Sequence, residues 1–364
     1  MKLHLSITGK LTLILVLFSI ALLGGLGALA YISGHAELQK AANSELLTLT
    51  LEKKAALDNW INSTRVNITT IAESPFIIEQ AALLAAAPGS PQAQAAHDQL
   101  VKEFQPSIHP ETKFTEIFFI KAENAQVLAS TDPSDEDKFK ENLSFFINGK
   151  REPYVSEMYF SVILNQPTMT AAAPIIAADG RTLGVLAGQL DLDILNAIIS
   201  LRTGLRQTDD AYLVNTIGLL ATQPRFISDT ATLKITIKTE AVKHCLDGSS
   251  SVISTDDYRG VPALISYNWL PESQMCLIVK IDQAEAFASS LAFTRSIALI
   301  GSLALVISIA LAVVLSRSFT RPILDLKDGT VRLAKGDLVY RVANKSQDEI
   351  GLLAAAFNKM AASL

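Results

Sequence analysis

The chain has 364 residues, of which 49% are apolar and 18% charged, and its formal net charge is −5. That is too apolar for an ordinary soluble protein with room for two or three domains. The acidic balance argues against a nucleic-acid binder or a partner with a strongly anionic surface.

Leu11 to Ile32 is uncharged and spans about 33 Å as a helix, enough to cross a bilayer. Lys2 and Lys10 ahead of it, with Ala28-Leu29-Ala30 near its end, also fit a cleavable signal peptide; the length of the apolar run favours an anchor. Ser296 to Ser316 is a second uncharged run, and Arg317, Arg321, Lys327, Arg332 and Lys335 crowd behind it. Positive residues near span ends stay on the cytoplasmic side, so residues 1–10 and 317–364 are expected inside and 33–292 outside. The charge split agrees: 21 Lys+Arg against 31 Asp+Glu between the flanks, but 8 against 5 from 317 onward.

Past Gly34, residues up to 73 contain no glycine or proline, and Leu46, Leu49, Lys53, Ala56 and Trp60 step by three and four. A long helix over 33–73 is predicted, stopped or bent at Ser74-Pro75. With Asn62, Thr64 and Asn67 on it, such a helix must lie along a domain or along a twin. Shorter helical stretches follow, interrupted by the PGSP at 88–91.

A β-β-α-β-β-β order then appears twice. The first copy has EIFFIK (116–121), VLAS (127–130), a helical stretch from Asp135 to Asn148, then MYFSVIL, PTMTAAAPII and LGVLAGQL, with turns at Asn165-Gln166 and Asp179-Gly180. The second has AYLVN (211–215), LLAT (219–222), a helix from Thr239 to Leu246, then SVIST, PALISYNW and CLIVKI, with turns at Arg259-Gly260 and Pro271-Glu272-Ser273. Hairpin-linked strands pair with their neighbours, so each copy predicts one antiparallel sheet with helices on a face. Cys245 in AVKHCL and Cys276 in MCLIVKI each suit a small buried apolar group. A disulfide is the alternative in an oxidising compartment, and free, buried thiols are the favoured reading.

LRTGLRQTDDAYLVNTIGLLATQPRF followed by YRGVPALISYNWLPESQMCLIVKID resembles the double Cache family of extracytoplasmic sensor domains, over roughly residues 40–285. YVSEMYFSVILNQPTMTAAAPIIAADGRTLGVLAGQLDLDIL is similar to that family's membrane-distal lobe, which implies a small-molecule ligand there. The implied ligand-binding set is Phe145, Phe146, Tyr154, Tyr159, Ser161, Thr170 and Asp191. The amino-acid-binding pattern of the family is incomplete: Leu143-Ser144-Phe145-Phe146 keeps the aromatic pair without the arginine, and Tyr159-Phe160-Ser161 stands where a Tyr-x-Asp is expected. Without a guanidinium fork for a carboxylate, a smaller, neutral or cationic ligand fits better than an α-amino acid. The four aromatic residues also suit a core, and Asp191 also suits a helix N-cap.

FTRPILDLKDGTVRLAKGDLVYRVANKSQDEIGLLAAAFNKM resembles the HAMP linker family, through Arg321-Pro322, Gly336-Asp337-Leu338, Asp348-Glu349-Ile350-Gly351 and Phe357-Asn358 with Met360. Ile323, Leu326, Thr330 and Leu333 step along a helix from Pro322 to Lys335, and Ile350, Leu353, Phe357, Met360 and Leu364 along a second. The connector from Gly336 to Ser346, about 35 Å extended, is long enough to let the two helices run parallel, with Leu338 and Val342 pinning it. Two such helices expose a narrow seam, so a homodimeric parallel four-helix bundle is expected. Pro322, Gly336, Asp348, Glu349 and Gly351 are the expected signal-transmission residues, with Asp348 and Glu349 also complementing a helix dipole.

No histidines at metal-ligand spacing, phosphate-binding glycine loop or nucleophile elbow is found, so no catalytic residue, metal or cofactor is expected. The expected architecture is α+β: a long N-terminal helix carrying two PAS-like antiparallel lobes (stalk 33–73, distal lobe 75–200, proximal lobe 205–285), transmembrane helices at 11–32 and 296–316, and the linker at 317–364. The resemblance implies a homodimeric receptor of the bacterial inner membrane with an unknown small-molecule ligand, a cytoplasmic signalling partner and no nucleic acid. The alternatives are the regulatory half of a sensor histidine kinase or cyclic-dinucleotide enzyme, and a ligand-free structural membrane dimer.

Overall fold

The computed structural model describes residues 7–108, 114–161, 166–201, 206–227, 232–337, 339–343 and 348–363. It separates into two compact units, one of residues 40–287 and one of residues 1–39 with 288–364.

Helix α1 (Ile7–Ala72) is 66 residues long and joins the two stretches expected to be helical, 11–32 and 33–73, into one helix. Beyond residue 40, Ala42, Leu46, Thr50, Leu57, Trp60, Ile61, Thr64, Ile68 and Ala72 are buried along one stripe. The stripe passes through Leu57 rather than Ala56, which faces out. Ser74-Pro75 ends α1 and opens α2 (Pro75–Ala86), with proline in the first turn where its missing N–H is harmless. Helix α3 (Pro91–Phe104) begins the same way, its N-cap Ser90 accepting from Ala93 N–H.

The distal lobe holds β1 (Phe114–Lys121), β2 (Val127–Ser130), α4 (Ser144–Gly149), β3 (Tyr154–Val155), β4 (Tyr159–Ser161), β5 (Gln166–Thr168), β6 (Thr170–Ile176), β7 (Thr182–Leu190) and α5 (Leu192–Ser200). Its sheet runs β2-β1-β7-β6-β3, all antiparallel, with β4 and β5 as a separate ribbon. The proximal lobe holds β8 (Asp210–Asn215), α6 (Glu240–Leu246), β9 (Ser251–Asp256), β10 (Pro262–Leu270), β11 (Met275–Asp282) and α7 (Gln283–Ala286), with sheet order β8-β11-β10-β9.

Three expectations are corrected. The stretch from Asp135 to Asn148 is helical only from Ser144, because residues 137–140 run along β2 instead: Val127 N–H bonds the Lys138 carbonyl and Lys140 N–H the Ala125 carbonyl. LLAT forms isolated bridges, Val214 to Leu220 and Leu219 to Thr236, rather than a ladder. Cys245 and Cys276 are joined in a disulfide, with 6.0 Å between their Cα atoms, which ties α6 to β11. The expected turn at Asn165-Gln166 lies partly outside the described residues.

Both sheets turn one face onto α1, α2 and α3, where Ile117, Phe119, Leu186, Leu213, Leu277 and Val279 join Leu46, Trp60, Leu100 and Phe104 in one core. The opposite faces carry separate clusters, Phe118, Val127, Phe145 and Val185 in the distal lobe and Tyr212, Ile265, Cys276 and Ile278 in the proximal one. Each lobe is therefore a two-sided sheet, with α4 over the second face of the distal one and α6 over that of the proximal one.

In the other unit, α8 (Ala288–Ala334) runs 47 residues without a break and α9 (Glu349–Ser363) packs against its end. Pro322, expected in the first turn of a helix, lies inside α8. Among the described residues, two helices are long and apolar enough to cross a membrane, residues 9–72 and 292–334, with mean hydropathy of 2.6 and 2.8 in their most apolar stretches.

Candidate functional site: a buried polar row in the distal lobe

The second face of the distal sheet carries a row of polar side chains at one end. Strand register sets it: Glu116 on β1 pairs with Gln189 on β7, and Gln189 pairs with Thr170 on β6. Alternation puts these three on the side of Phe118, Ala187 and α4, away from α1, α2 and α3. Glu116, Gln189 and Thr170 are 4%, 3% and 0% exposed, so their hydrogen bonds must come from protein or ligand.

Ser130 donates to Glu116 Oε1 at 2.7 Å, and the Gln189 amide donates to Glu116 Oε2 at 2.6 Å. Burial pushes the Glu116 carboxyl up to about 7, against the stabilising bond from Ser130. Lys140 and Asp135 form a buried pair at 2.7 Å beside the row, with the Lys140 ammonium 5.6 Å from the Phe118 ring centroid. Two acceptors in this region, Asp135 Oδ2 and Gln189 Oε1, are buried with no hydrogen-bond partner. Leaving such atoms bare costs about 1–3 kcal/mol each.

Tyr159 closes the row. Its hydroxyl shares a 2.7 Å hydrogen bond with Thr170 Oγ1, and its ring lies 6.1 Å from Phe145 at 28°. Burial pushes the phenol up to about 12, so it stays neutral and able to donate. Phe145 and Phe146 are buried, with Phe145 edge-on to Phe118. Tyr154 is half-buried and hydrogen-bonds Glu157 at 3.0 Å; burial raises its pKa. Ser161 is buried at the end of β4.

Five of the seven expected ligand residues, Phe145, Phe146, Tyr154, Tyr159 and Thr170, thus border one face. Asp191 does not join them. It caps α5, accepting from Asp193 N–H at 2.9 Å, and lines a cavity of about 730 Å³ that the row does not reach, with Phe160, Gln166, Asn196 and Lys234. The residue of that strand end that reaches the row is Gln189, two positions earlier. Sequence reasoning missed it and Glu116, although a lone glutamine and a glutamate in two otherwise apolar strands are the visible signal.

The linker residues are also placed. Gly336 follows α8 at φ +92, with its N–H bonded to the Leu333 carbonyl and Asp337 N–H to that of Arg332, a left-handed helix stop. Asp348 caps α9 through Ile350 N–H and Gly351 N–H, both at 3.1 Å, and Glu349 opens the helix. Pro322 and Leu326 line a groove with Ile350, Gly351 and Ala354, and the Phe357 ring lies against Gly329, so α8 and α9 run in the same direction. Val342 is pinned as expected: its N–H and carbonyl bond the Asn358 side chain, both at 2.9 Å. Leu338 lies outside the described residues.

The geometry defines a class: two antiparallel sensor-type lobes on a long helix, followed by an apolar helix and a parallel helix pair. The chain belongs to the Cache domain family, whose pattern matches residues 34–290, and a HAMP domain matches residues 314–364. Among curated proteins it is 45% identical over 51 residues to the signal transduction histidine-protein kinase BaeS of Escherichia coli (strain K12), which covers 14% of this chain and 11% of that one. The chain thus aligns with about a tenth of such relatives. Among solved structures it is similar to the Campylobacter jejuni chemoreceptor Tlp3 ligand-binding domain in complex with L-valine (12% identity, 68% and 95% of the two chains, TM-score 0.49). It is also similar to the Vibrio cholerae histidine kinase DctB sensor domain (14% identity, 70% and 98%, TM-score 0.43).

Proposed function

We propose that the chain is a transmembrane signalling receptor of the bacterial inner membrane, whose distal lobe binds a small, donor-rich molecule carrying a primary amine. In this reading residues 11–32 and 296–316 cross the bilayer, residues 33–292 face the periplasm, and residues 1–10 and 317–364 are cytoplasmic. The observation that carries the ligand class is the pair of bare acceptors, Asp135 Oδ2 and Gln189 Oε1, beside Glu116. An ammonium supplies donors to such atoms and a carboxylate supplies none. Phe118, Phe145 and Tyr159 offer aromatic surface to the apolar part of the same ligand.

Binding would draw the end of β7 toward β1 and shift α5, whose last carbonyls are held by Lys53 of α1: its ammonium donates to those of Ile199 and Leu201 at 2.5 and 2.7 Å. The HAMP helices would then choose between two packings, favouring whichever state the ligand binds more tightly. Ile323, Leu353 and Met360 are 50%, 60% and 48% exposed, an apolar seam that a second copy of the chain would cover. The segment shared with a sensor kinase favours a histidine-kinase module or partner as the output.

The test is a thermal-shift screen of the purified full chain against primary amines, neutral polyols, carboxylates and α-amino acids. A stabilising amine whose effect is lost in Gln189→Leu and Tyr159→Phe is expected. Stabilisation by carboxylates alone, or by nothing, refutes the ligand class.

A further inference from the structure

The two lobes repeat each other residue by residue where the polar row lies. In the distal lobe Glu116 of β1 faces Gln189 of β7, and Asp191, two residues on, caps the next helix. In the proximal lobe Asp210 of β8 faces Lys280 of β11, and Asp282, two residues on, is the N-cap of α7. Gln189 and Lys280 therefore occupy equivalent places, and the proximal lobe has a lysine where the distal lobe has an amide with a bare oxygen.

The surroundings of that lysine are those of a bound ammonium ion. Lys280 is fully buried, with its Nζ 2.8 Å from Asp257 Oδ2 and 2.9 Å from Asp282 Oδ1. The same nitrogen lies 4.8 Å from the centroid of the Phe226 ring and 5.9 Å from that of Tyr258, the geometry of an aromatic cage. Arg259 shares the same two oxygens with the lysine, donating to Asp257 Oδ2 at 2.7 Å and contacting Asp282 Oδ1. Tyr258 donates to Asp210. Burial raises Asp257, but the hydrogen bonds from Lys280 and Arg259 outweigh it and hold the carboxyl below its ordinary value. Tyr212, two residues from Asp210 on the same face, is fully buried with its hydroxyl unpartnered and its ring edge-on to Tyr258 at 5.4 Å.

We infer that the proximal lobe contains a latent site for primary alkylammonium ions, occupied in the native protein by the Lys280 side chain acting as a built-in ligand. Two carboxylates, Asp257 and Asp282, are paired with two cations, Lys280 and Arg259, at this end of the sheet, and Asp210 lies beside them, held by the Tyr258 hydroxyl and the Arg225 N–H. Taking away the lysine leaves one cation short, a covered hole and an aromatic lid, which together select a small monovalent ammonium over a metal ion or an anion. The second lobe is thus closed to outside amines by its own side chain, and an external signal is left to the distal lobe. The inference stands on the proximal residues alone and does not depend on the ligand proposed for the distal row.

The experiment uses the full chain in detergent. Lys280→Ala removes three carbons and the nitrogen, the outline of n-propylammonium. The variant should melt lower than the native chain. n-Propylammonium at ten times its dissociation constant should raise its Tm by about 3–6 °C. Methylammonium should act more weakly, and n-propanol or sodium chloride at equal concentration should not act. The native chain and Lys280→Met, whose stem fills the hole, should show no such shift. A propylammonium shift absent from Lys280→Ala, or equal in all three proteins, or matched by n-propanol, overturns the inference. If Lys280→Ala does not fold, the half-exposed lid provides a second readout. Phe226→Ala should make Lys280 acetylatable by an N-hydroxysuccinimide ester in the folded protein, whereas the native lysine resists. Equal labelling in both would overturn the cage.

Discussion

Replacing Glu116 by glutamine should stabilise the protein, and only above a definite pH. Glu116 is 4% exposed and its carboxyl is moved from 4.5 to about 7, chiefly by burial. In the unfolded chain the same group loses its proton near its ordinary value. Between the two values the unfolded state binds fewer protons, so stability falls as pH rises through that window and stays low above it. The full displacement amounts to about 3 kcal/mol. Glutamine keeps the shape, never ionises, and can accept from Ser130 through its oxygen while its amide donates to the Gln189 oxygen once that side chain turns over. Glu116→Gln should therefore match the native chain near about pH 4 and exceed it by about 3 kcal/mol near about pH 8, roughly 6–12 °C in Tm. The assay is thermal unfolding of the sensor transition in both proteins across that range. A gap that stays constant from acid to alkaline pH would show that Glu116 does not titrate in the window and would refute the buried-carboxyl argument.

Breaking the disulfide with Cys245→Ala and Cys276→Ala together should cost about 3.5–4 kcal/mol, from the loop entropy of a 31-residue separation, read as a lower midpoint in denaturant titration. A midpoint unchanged from the native protein would mean the bond adds nothing to the lobe. Asn358→Ala removes both hydrogen bonds to Val342, a local loss of roughly 2 kcal/mol, and should speed hydrogen exchange at the Val342 amide; unchanged protection would show that the connector is held otherwise. A methyl group on Gly184 would lie 2.1 Å from the Ile120 carbonyl oxygen, so Gly184→Ala should lower Tm by the equivalent of about 1–3 kcal/mol, while Gly301→Ala, which meets nothing within 4 Å, should not.

Strand positions were legible because short apolar, β-branched runs lie between clear turn residues: VLAS at 127–130 coincides with β2, and the SVIST, PALISYNW and CLIVKI stretches lie within β9, β10 and β11. Helical pattern in the stretch from Asp135 to Asn148 misled because the charged segment satisfies its backbone on β2 and its charges in the Asp135–Lys140 pair, a tertiary arrangement with no local signature. The stripe of α1 drifted from Ala56 to Leu57 since a helix turn is not a whole number of residues. The aromatic side of the distal row was readable from residue type. Its polar side was not, because Glu116 and Gln189 meet only through β1–β7 register across 73 residues. Asp191 was readable as a cap and is one. The disulfide was undecidable from spacing, since pairing depends on α6 lying over β11.

Helix α8 passes from its apolar stretch into the HAMP pair as one rod of 47 residues, softened only where Pro322 withholds a donor from the Ser318 carbonyl. Leu326 and Phe357 meet because the seam emerges from that rod at a set azimuth. One residue added between Ala312 and Arg321 would swing the seam by about 100° and advance it about 1.5 Å, while seven would bring it back to within about 20°. Distance along the rod is thus also angle around it, and insertions there should read out with the periodicity of the helix rather than in proportion to their length.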